Sequence, residues 1–346
     1  MKDADPSHYR KVVAELAEGL LIPFLGAGAN LCDLPRGSGW ARNDDPKDER
    51  FLPSGAELAS YLAFKSEYPR ATDPKLDLEQ VSDYVVGDNS EAVLYRYLRE
   101  VFESKPAPTS LHVLLARVAM ALKLANKPHL LVVTTNYDDL IERAFGEEGL
   151  EFDVVWYDAR TNSPSKGQFL HRAPGTDATP IPRTTALGEP SLYLGLPDPL
   201  ERPAILKLHG CFDRGSAAPD GDSYVITQGS YIDYLADGDV GAAIPIVLRD
   251  RIATSSMLFL GYALNDWNLR VILDRIWRAR MTQVGHWSVH RKPDNQADLE
   301  IETVLEEQRK TDDRIDGVYA ELKDYVTGLD TQLQASLPSY AASKQA

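Results

Sequence analysis

Four short segments of this 346-residue chain carry side chains able to do chemistry, and each follows a run of apolar residues. The first is Phe24-Leu25-Gly26-Ala27-Gly28-Ala29-Asn30, a small-residue turn whose glycines would let the backbone approach a phosphate group beside a helix N-terminus. As a dinucleotide fingerprint it is incomplete, because Leu31 stands at the third glycine position, and it reads equally as a plain tight turn. The second is Thr134-Thr135-Asn136-Tyr137-Asp138. Ligands of open α/β sheets sit beyond the carboxyl ends of the strands, so these side chains would face one. The alternative is helix capping, which suits Asp138 and leaves Thr135 and Asn136 in surplus. The third, Lys207-Leu208-His209-Gly210, brings an imidazole able to accept a proton at neutral pH, although a lone histidine at a strand end is more often structural. The fourth is Phe259-Leu260-Gly261-Tyr262-Ala263-Leu264-Asn265-Asp266, where Gly261 allows close backbone approach and Asp266 suits a helix cap.

The pattern of apolar residues supplies a scaffold for these segments. Buried strands are predicted over 20–25, 130–134, 152–157, 204–209, 224–226, 256–260 and 286–290, and the last of these gives His286 and His290 a structural reading. Helical spacing recurs over 9–20, 138–145, 242–253, 266–280 and 318–329. Strands alternating with helices imply an α/β fold: a Rossmann-like parallel sheet with right-handed crossovers and helices on both faces. Residues 35–125 read as a helical insertion within a catalytic domain spanning 1–330, and 331–346 as a C-terminal tail. The stretch 158–203 holds eight prolines and four glycines without a sustained period, so it is expected as a loop in which His171 is a candidate lid residue.

Composition narrows the classes. Lys and Arg number 37 against 52 Asp and Glu, a net charge of −15, which argues against an extended nucleic-acid surface. Between 294 and 330 stand 12 acidic and 4 basic residues, so the acidity is concentrated near the C-terminus, on an outer face that keeps the protein soluble or meets a basic partner. Lys207, Arg172, Arg36 and Arg270 remain to offset a pyrophosphate. Two cysteines, Cys32 and Cys211, can build neither a four-cysteine metal site nor a disulfide framework. No run of 18 apolar residues and no signal-peptide pattern appears, and the expectation is a soluble cytoplasmic protein with no membrane contact.

In this order, Gly26-Ala27-Gly28, Thr135-Asn136-Tyr137-Asp138, Lys207-Leu208-His209-Gly210 and Leu260-Gly261-Tyr262-Ala263-Leu264 resemble the sirtuin-like (SIR2-type) NAD-binding family. The likeness runs from about 19 to 329 and is closer to the bacterial antiphage-defence branch than to the protein deacylases. It implies that Gly26, Ala27, Gly28, Ala29, Asn30, Thr135, Asp138, Gly261, Tyr262 and Asp266 hold NAD, while Asn136 and His209 flank the nicotinamide ribose as the catalytic pair. Two departures bear on activity. The deacylases carry a four-cysteine zinc module, which this chain cannot build, and a Gly-Ile-Pro-Asp-Phe-Arg pattern where this chain has Asn30-Leu31-Cys32-Asp33-Leu34-Pro35-Arg36. NAD is then expected as substrate, without zinc. The implied reaction is hydrolysis to nicotinamide and ADP-ribose, or to cyclic ADP-ribose if an adenine nitrogen attacks in place of water. ADP-ribosyl transfer, protein deacylation and non-catalytic sensing of NAD or ADP-ribose are the alternatives. Because constant NAD hydrolysis would poison a cell, the resemblance implies a triggered effector, as a homo-oligomer or with a HerA-type ATPase partner.

Overall fold

The computed structural model describes residues 2–35, 39–40, 51–73, 75–182, 195–197, 200–215, 221–236, 244–262, 273, 285–312 and 314–343. In chain order, strand β1 (Lys2–Asp3) precedes helix α1 (Pro6–Ala17), and strand β2 (Leu21–Leu25) leads into a short 3-10 turn, Ala27–Leu31. Four helices follow: α2 (Gly55–Lys65), α3 (Leu78–Asp88), α4 (Glu91–Phe102) and α5 (Ser110–Leu124). Then come β3 (Leu131–Thr134), α6 (Leu140–Glu147), β4 (Asp153–Tyr157), β5 (Phe169–Arg172), β6 (Thr179–Pro180) and β7 (Ala204–Lys207). The chain continues through β8 (Gly210–Cys211), β9 (Ser223–Tyr224), α7 (Gln228–Ala236), α8 (Ile246–Thr254) and β10 (Ser256–Leu260). It closes with β11 (His286–His290), α9 (Gln296–Asp312), β12 (Ile315–Tyr319), α10 (Leu322–Ser336) and α11 (Pro338–Ser343).

Ten strands form one sheet in the order β1-β12-β11-β10-β2-β3-β7-β4-β5-β6, parallel throughout except at β4–β5 and β5–β6. This is the Rossmann-like architecture expected. Both faces are covered, which is why β2, β3, β7 and β10 are apolar along their length rather than alternating. One face packs on α1, α5, α6 and α10 through residues such as Leu16, Leu115, Phe145 and Leu329. The other carries Tyr234 of α7 and Leu248 and Ile252 of α8 against Phe24, Leu206 and Phe259. Helices α2 to α4 form a third apolar cluster with Phe212, Tyr224 and Ile226. Ser54 and Glu57 close the start of α2 with a capping box, and Leu58, Tyr61 and Leu62 turn inward from there.

Pro23 stands within a central strand, an unusual place for a residue without an N–H. Leu20 O and Gly26 N bond to β10, whereas Leu25 O bonds toward β3, so position 23 faces β3 by alternation. Pairing with β3 begins only at Phe24, and no ladder bond is lost at the proline.

The structure departs from the sequence expectations at several places. Strands β5 and β6 lie within 158–203, and His171 is a strand residue only 3% exposed whose Nε2 meets Asp153 Oδ1 at 2.9 Å, so it is no lid residue. Val318 and Tyr319 end β12 rather than open a helix, and α10 crosses the expected boundary at 330. Tyr340 of α11 is fully buried and donates to Asp330 Oδ1 at 2.6 Å, so 331–343 packs as structure rather than tail. The helix predicted over 266–280 lies outside the described residues apart from position 273.

Candidate functional site

The parallel sheet brings the four segments to one edge, because β2, β3, β7 and β10 are consecutive neighbours in the order β10, β2, β3, β7 and all point the same way. The β3–β7 register pairs Thr134 with Lys207, so Asn136 and His209 each stand two residues beyond paired strand ends. Leu208 N donates to Thr134 O at 2.9 Å and carries that register past the last pair.

The turn after β2 and the turn after β10 are packed backbone to backbone. Gly26 N donates to Leu260 O at 3.1 Å and Gly28 N to Gly261 O at 2.8 Å. A Cβ on Gly26 would stand 2.6 Å from Gly261 O, and one on Gly28 would stand 2.7 Å from the same atom. Gly261 itself has φ +65°, and a Cβ there would fall on Ala29 N. The three glycines thus have a packing reason in addition to any approach to a ligand. Gly261→Ala is expected to lower the unfolding free energy by more than about 2 kcal/mol, since the clash with Ala29 adds to the left-handed backbone cost; urea unfolding measures this.

Asn30 and Asp138 are both buried, and Asn30 Nδ2 donates to Asp138 Oδ2 at 2.7 Å, tying the β2 turn to the β3 turn. Asp138 Oδ1 accepts Leu140 N at 3.1 Å, so its capping role is met while Asp139 holds the N-cap position. Asn30 Oδ1 is buried without a hydrogen-bond partner among the described residues. Thr135 N reaches Leu25 O at 3.3 Å. Asn136 is half-buried; its Nδ2 donates to Gly26 O at 3.1 Å, which aims the carboxamide across the top of β2. His209 is 3% exposed, with its ring edge-on to Tyr231 and Tyr234 at centroid distances of 5.4 and 5.7 Å. Tyr262 stacks edge-on against Phe24 at 5.2 Å. Asp266 lies outside the described residues.

A cavity of about 470 Å³ opens beside the two glycine turns, lined by Gly28, Gly261, Tyr262, His290, Arg291 and residues of α9 including Asp298 and Glu302. It extends the edge from β2 and β10 to the end of β11. The α9 wall was not read from the sequence: apart from Arg309, its residues from 296 to 311 are exposed or half-buried, so they lack the apolar stripe that marks a packed helix. Tyr231 and Tyr234 stand at i, i+3 spacing after the His209 segment, which is their one signal in the sequence.

Of the cations expected near a pyrophosphate, Lys207 and Arg172 are placed otherwise. Lys207 is fully buried and paired with Glu142 at 2.5 Å. Arg172 pairs with Asp213 at 2.8 Å and lies over the Trp156 ring. Arg36 and Arg270 lie outside the described residues. Burial pushes the Cys211 thiol up to about 12 and the Cys32 thiol up to about 11, so neither is a thiolate at neutral pH. Support from below comes from the start of α5: Thr109 Oγ1 donates to Ala29 O at 3.0 Å, and Ser110 N and Oγ donate to Asp33 at 2.6 and 2.7 Å.

Comparison with known proteins adds a family profile described as SIR2-like domain, which matches residues 130–312. The chain is 24% identical over 266 residues to "Defense-associated sirtuin 2" of Bacillus subtilis, covering 77% of this chain and 20% of that protein. It is 26% identical over 292 residues to "NAD(+) hydrolase ThsA" of Acinetobacter baumannii (83% of this chain, 45% of that protein), and 25% identical over 236 residues to the protein of the same name from Enterococcus faecium (67% and 39%). This chain spans less than half the length of each of these relatives. No helix among the described residues is long and apolar enough to cross a membrane.

Proposed function

Because the chain belongs to the SIR2-like domain family, we propose that it hydrolyses NAD to nicotinamide and ADP-ribose at the sheet edge that carries Asn136, His209 and the two glycine turns. The observation that supports this reading is the β3–β7 register, in which Asn136 and His209 are each two residues beyond the paired ends Thr134 and Lys207 of adjacent parallel strands. The relatives named as NAD(+) hydrolases support the choice of substrate.

The chemistry asks little of an acid. Breaking the N-glycosidic bond releases nicotinamide as a neutral molecule from a cationic ring and leaves an oxocarbenium-like ribose. What the protein must supply is position and a proton acceptor. The Asn136 carboxamide, aimed by its bond to Gly26 O, holds the ribose hydroxyls or the incoming water through its remaining donor and acceptor positions. Neutral His209 takes the proton from that water or hydroxyl. The cavity beside Gly28 and Gly261 receives the half of the dinucleotide away from the reacting bond. With Lys207 buried, Arg291 in the cavity wall meets the pyrophosphate charge.

In the cell the reading is a triggered antiphage effector, kept silent until assembly of a homo-oligomer or contact with a HerA-type ATPase turns it on. The test is incubation of the purified protein with NAD at high protein concentration, with products separated by mass spectrometry. Nicotinamide and ADP-ribose in equal amounts are expected. Transfer of ADP-ribose to protein, or tight binding of NAD without turnover, would replace the reading with a transferase or a sensor.

A further inference from the structure

Lys207 ends β7, two residues before His209, and is fully buried. Its Nζ pairs with Glu142 Oε1 at 2.5 Å and donates to the backbone carbonyls of Asp138 at 2.5 Å and Tyr137 at 3.3 Å. An ammonium has three donors, and three oxygens surround this one. Burial works against the charge, but the Glu142 carboxylate and Asp138 outweigh it and raise the Lys207 pKa above its ordinary value, so the group is an ammonium at neutral pH.

The two carbonyls belong to the segment that carries Asn136. Residues 135–139 lie beyond β3 and before α6; the Tyr137 carbonyl also accepts Phe212 N at 2.8 Å, whereas the Asp138 carbonyl takes part in no strand ladder or helical bond, so Lys207 bears chiefly on Asp138. The segment is also tied by Asn136 N to Thr134 Oγ1 at 2.9 Å, by Asp138 to Asn30, by the Tyr137 hydroxyl to Val225 O at 2.7 Å and by Arg214 to Asp139 at 3.0 Å. Lys207 adds the tie to β7, the strand that ends in His209, and Glu142 anchors the same ammonium from the first turn of α6.

We propose that the buried Lys207–Glu142 pair is a positioning device that pins the Tyr137 and Asp138 carbonyls to β7 and thereby sets Asn136 at a fixed offset from His209. Lys207 is a positioning residue that does not touch substrate. The catalytic consequence rests on the NAD-hydrolase reading; the pin itself does not.

Two variants of the full chain test this. Lys207→Met removes the donor but leaves the Glu142 carboxylate buried and unpaired, a change that acts on stability as well. Lys207→Met combined with Glu142→Leu removes both charges at similar volume, a replacement that buried pairs tolerate. For the double variant, the thermal midpoint is expected near that of the natural protein, while kcat for nicotinamide release falls about 100-fold. KM for NAD should move no more than about threefold, because the binding contacts are untouched. Peptide-level hydrogen exchange at 135–139 should run at least about tenfold faster. A merely structural pair would give a double variant with both stability and kcat restored, and that result overturns the proposal, as does unchanged exchange at 135–139 in both variants. If the natural protein releases no nicotinamide, the hydrolase reading fails, and the exchange measurement still decides the pin.

Discussion

Replacing His209 by glutamine is expected to lower the rate of nicotinamide release by roughly 100- to 10,000-fold, the span that general-base help usually covers. Glutamine keeps hydrogen-bonding capacity and near-equal volume between Tyr231 and Tyr234 but cannot take up a proton at neutral pH, so the fold is retained while the chemistry is lost. Asn136→Ala should fall in the same range for a different reason: the carboxamide bonded to Gly26 O would no longer orient the ribose or the water. KM for NAD should change far less than kcat in both variants, because neither side chain lines the cavity that would receive the remote half of the dinucleotide. Single-turnover assays with the purified variants, alongside circular dichroism to confirm folding, read both quantities. Full turnover in the His209→Gln protein would remove the imidazole from the mechanism.

The second large effect is on stability. Between pH 7 and pH 5 the unfolding free energy is expected to fall by several kcal/mol, because two buried histidines and the half-buried His290 resist protonation. Burial pushes the pKa of His112, His286 and His290 down to about 4 each. Geometry agrees for two of them: His112 Nδ1 accepts Thr109 N at 3.2 Å and His286 Nδ1 accepts Met257 N at 3.1 Å, so each holds an unprotonated acceptor nitrogen. An unfolded histidine binds its proton near pH ~6.5, so below that pH the unfolded chain carries more protons than the folded one. The stabilisation is therefore complete above about pH 6.5 and is lost progressively as pH falls toward about 4. Down to pH 5 each group contributes at most about 2 kcal/mol. Burial raises the pKa of Asp222 and of Glu142, which works in the opposite direction and makes the sum smaller. Urea unfolding at the two pH values measures the change. His112→Gln retains the capping partner of Thr109 and removes one titration, so a shallower pH slope is expected in that variant. An unchanged slope would exclude His112 as a contributor.

The legible part of the fold was the part written in local pattern. Strand β10 stands where the apolar run 256–260 predicts it, and β2, β3 and β4 begin one residue later than their patterns suggest. Continuous burial on both faces of a parallel sheet leaves that record in composition. The segment 158–203 reads as a loop in sequence because β5 and β6 are short and antiparallel at the sheet margin, with Pro180 ending one of them. Their place depends on pairing with β4, which no local period announces. The stretch around 318 reads as helix for a related reason: Val318 and Tyr319 join β12 through their register with β11, a contact distant in sequence from the helical spacing that follows.

The candidate site divides in the same way. Sequence alone determined the residue types at four strand ends, the order in which they occur, and the count of two cysteines, since these are properties of the covalent chain. Only the tertiary structure decided what each residue meets. It turned Lys207 from a candidate phosphate ligand into a fully buried ammonium enclosed by Glu142 and two carbonyls, and it placed His171 against Asp153 within a strand. It also gave Gly26, Gly28 and Gly261 a mutual packing role. The physical reason is that burial and hydrogen-bond partnership are set by which strands lie side by side, and in a parallel sheet those neighbours come from crossovers spanning many residues.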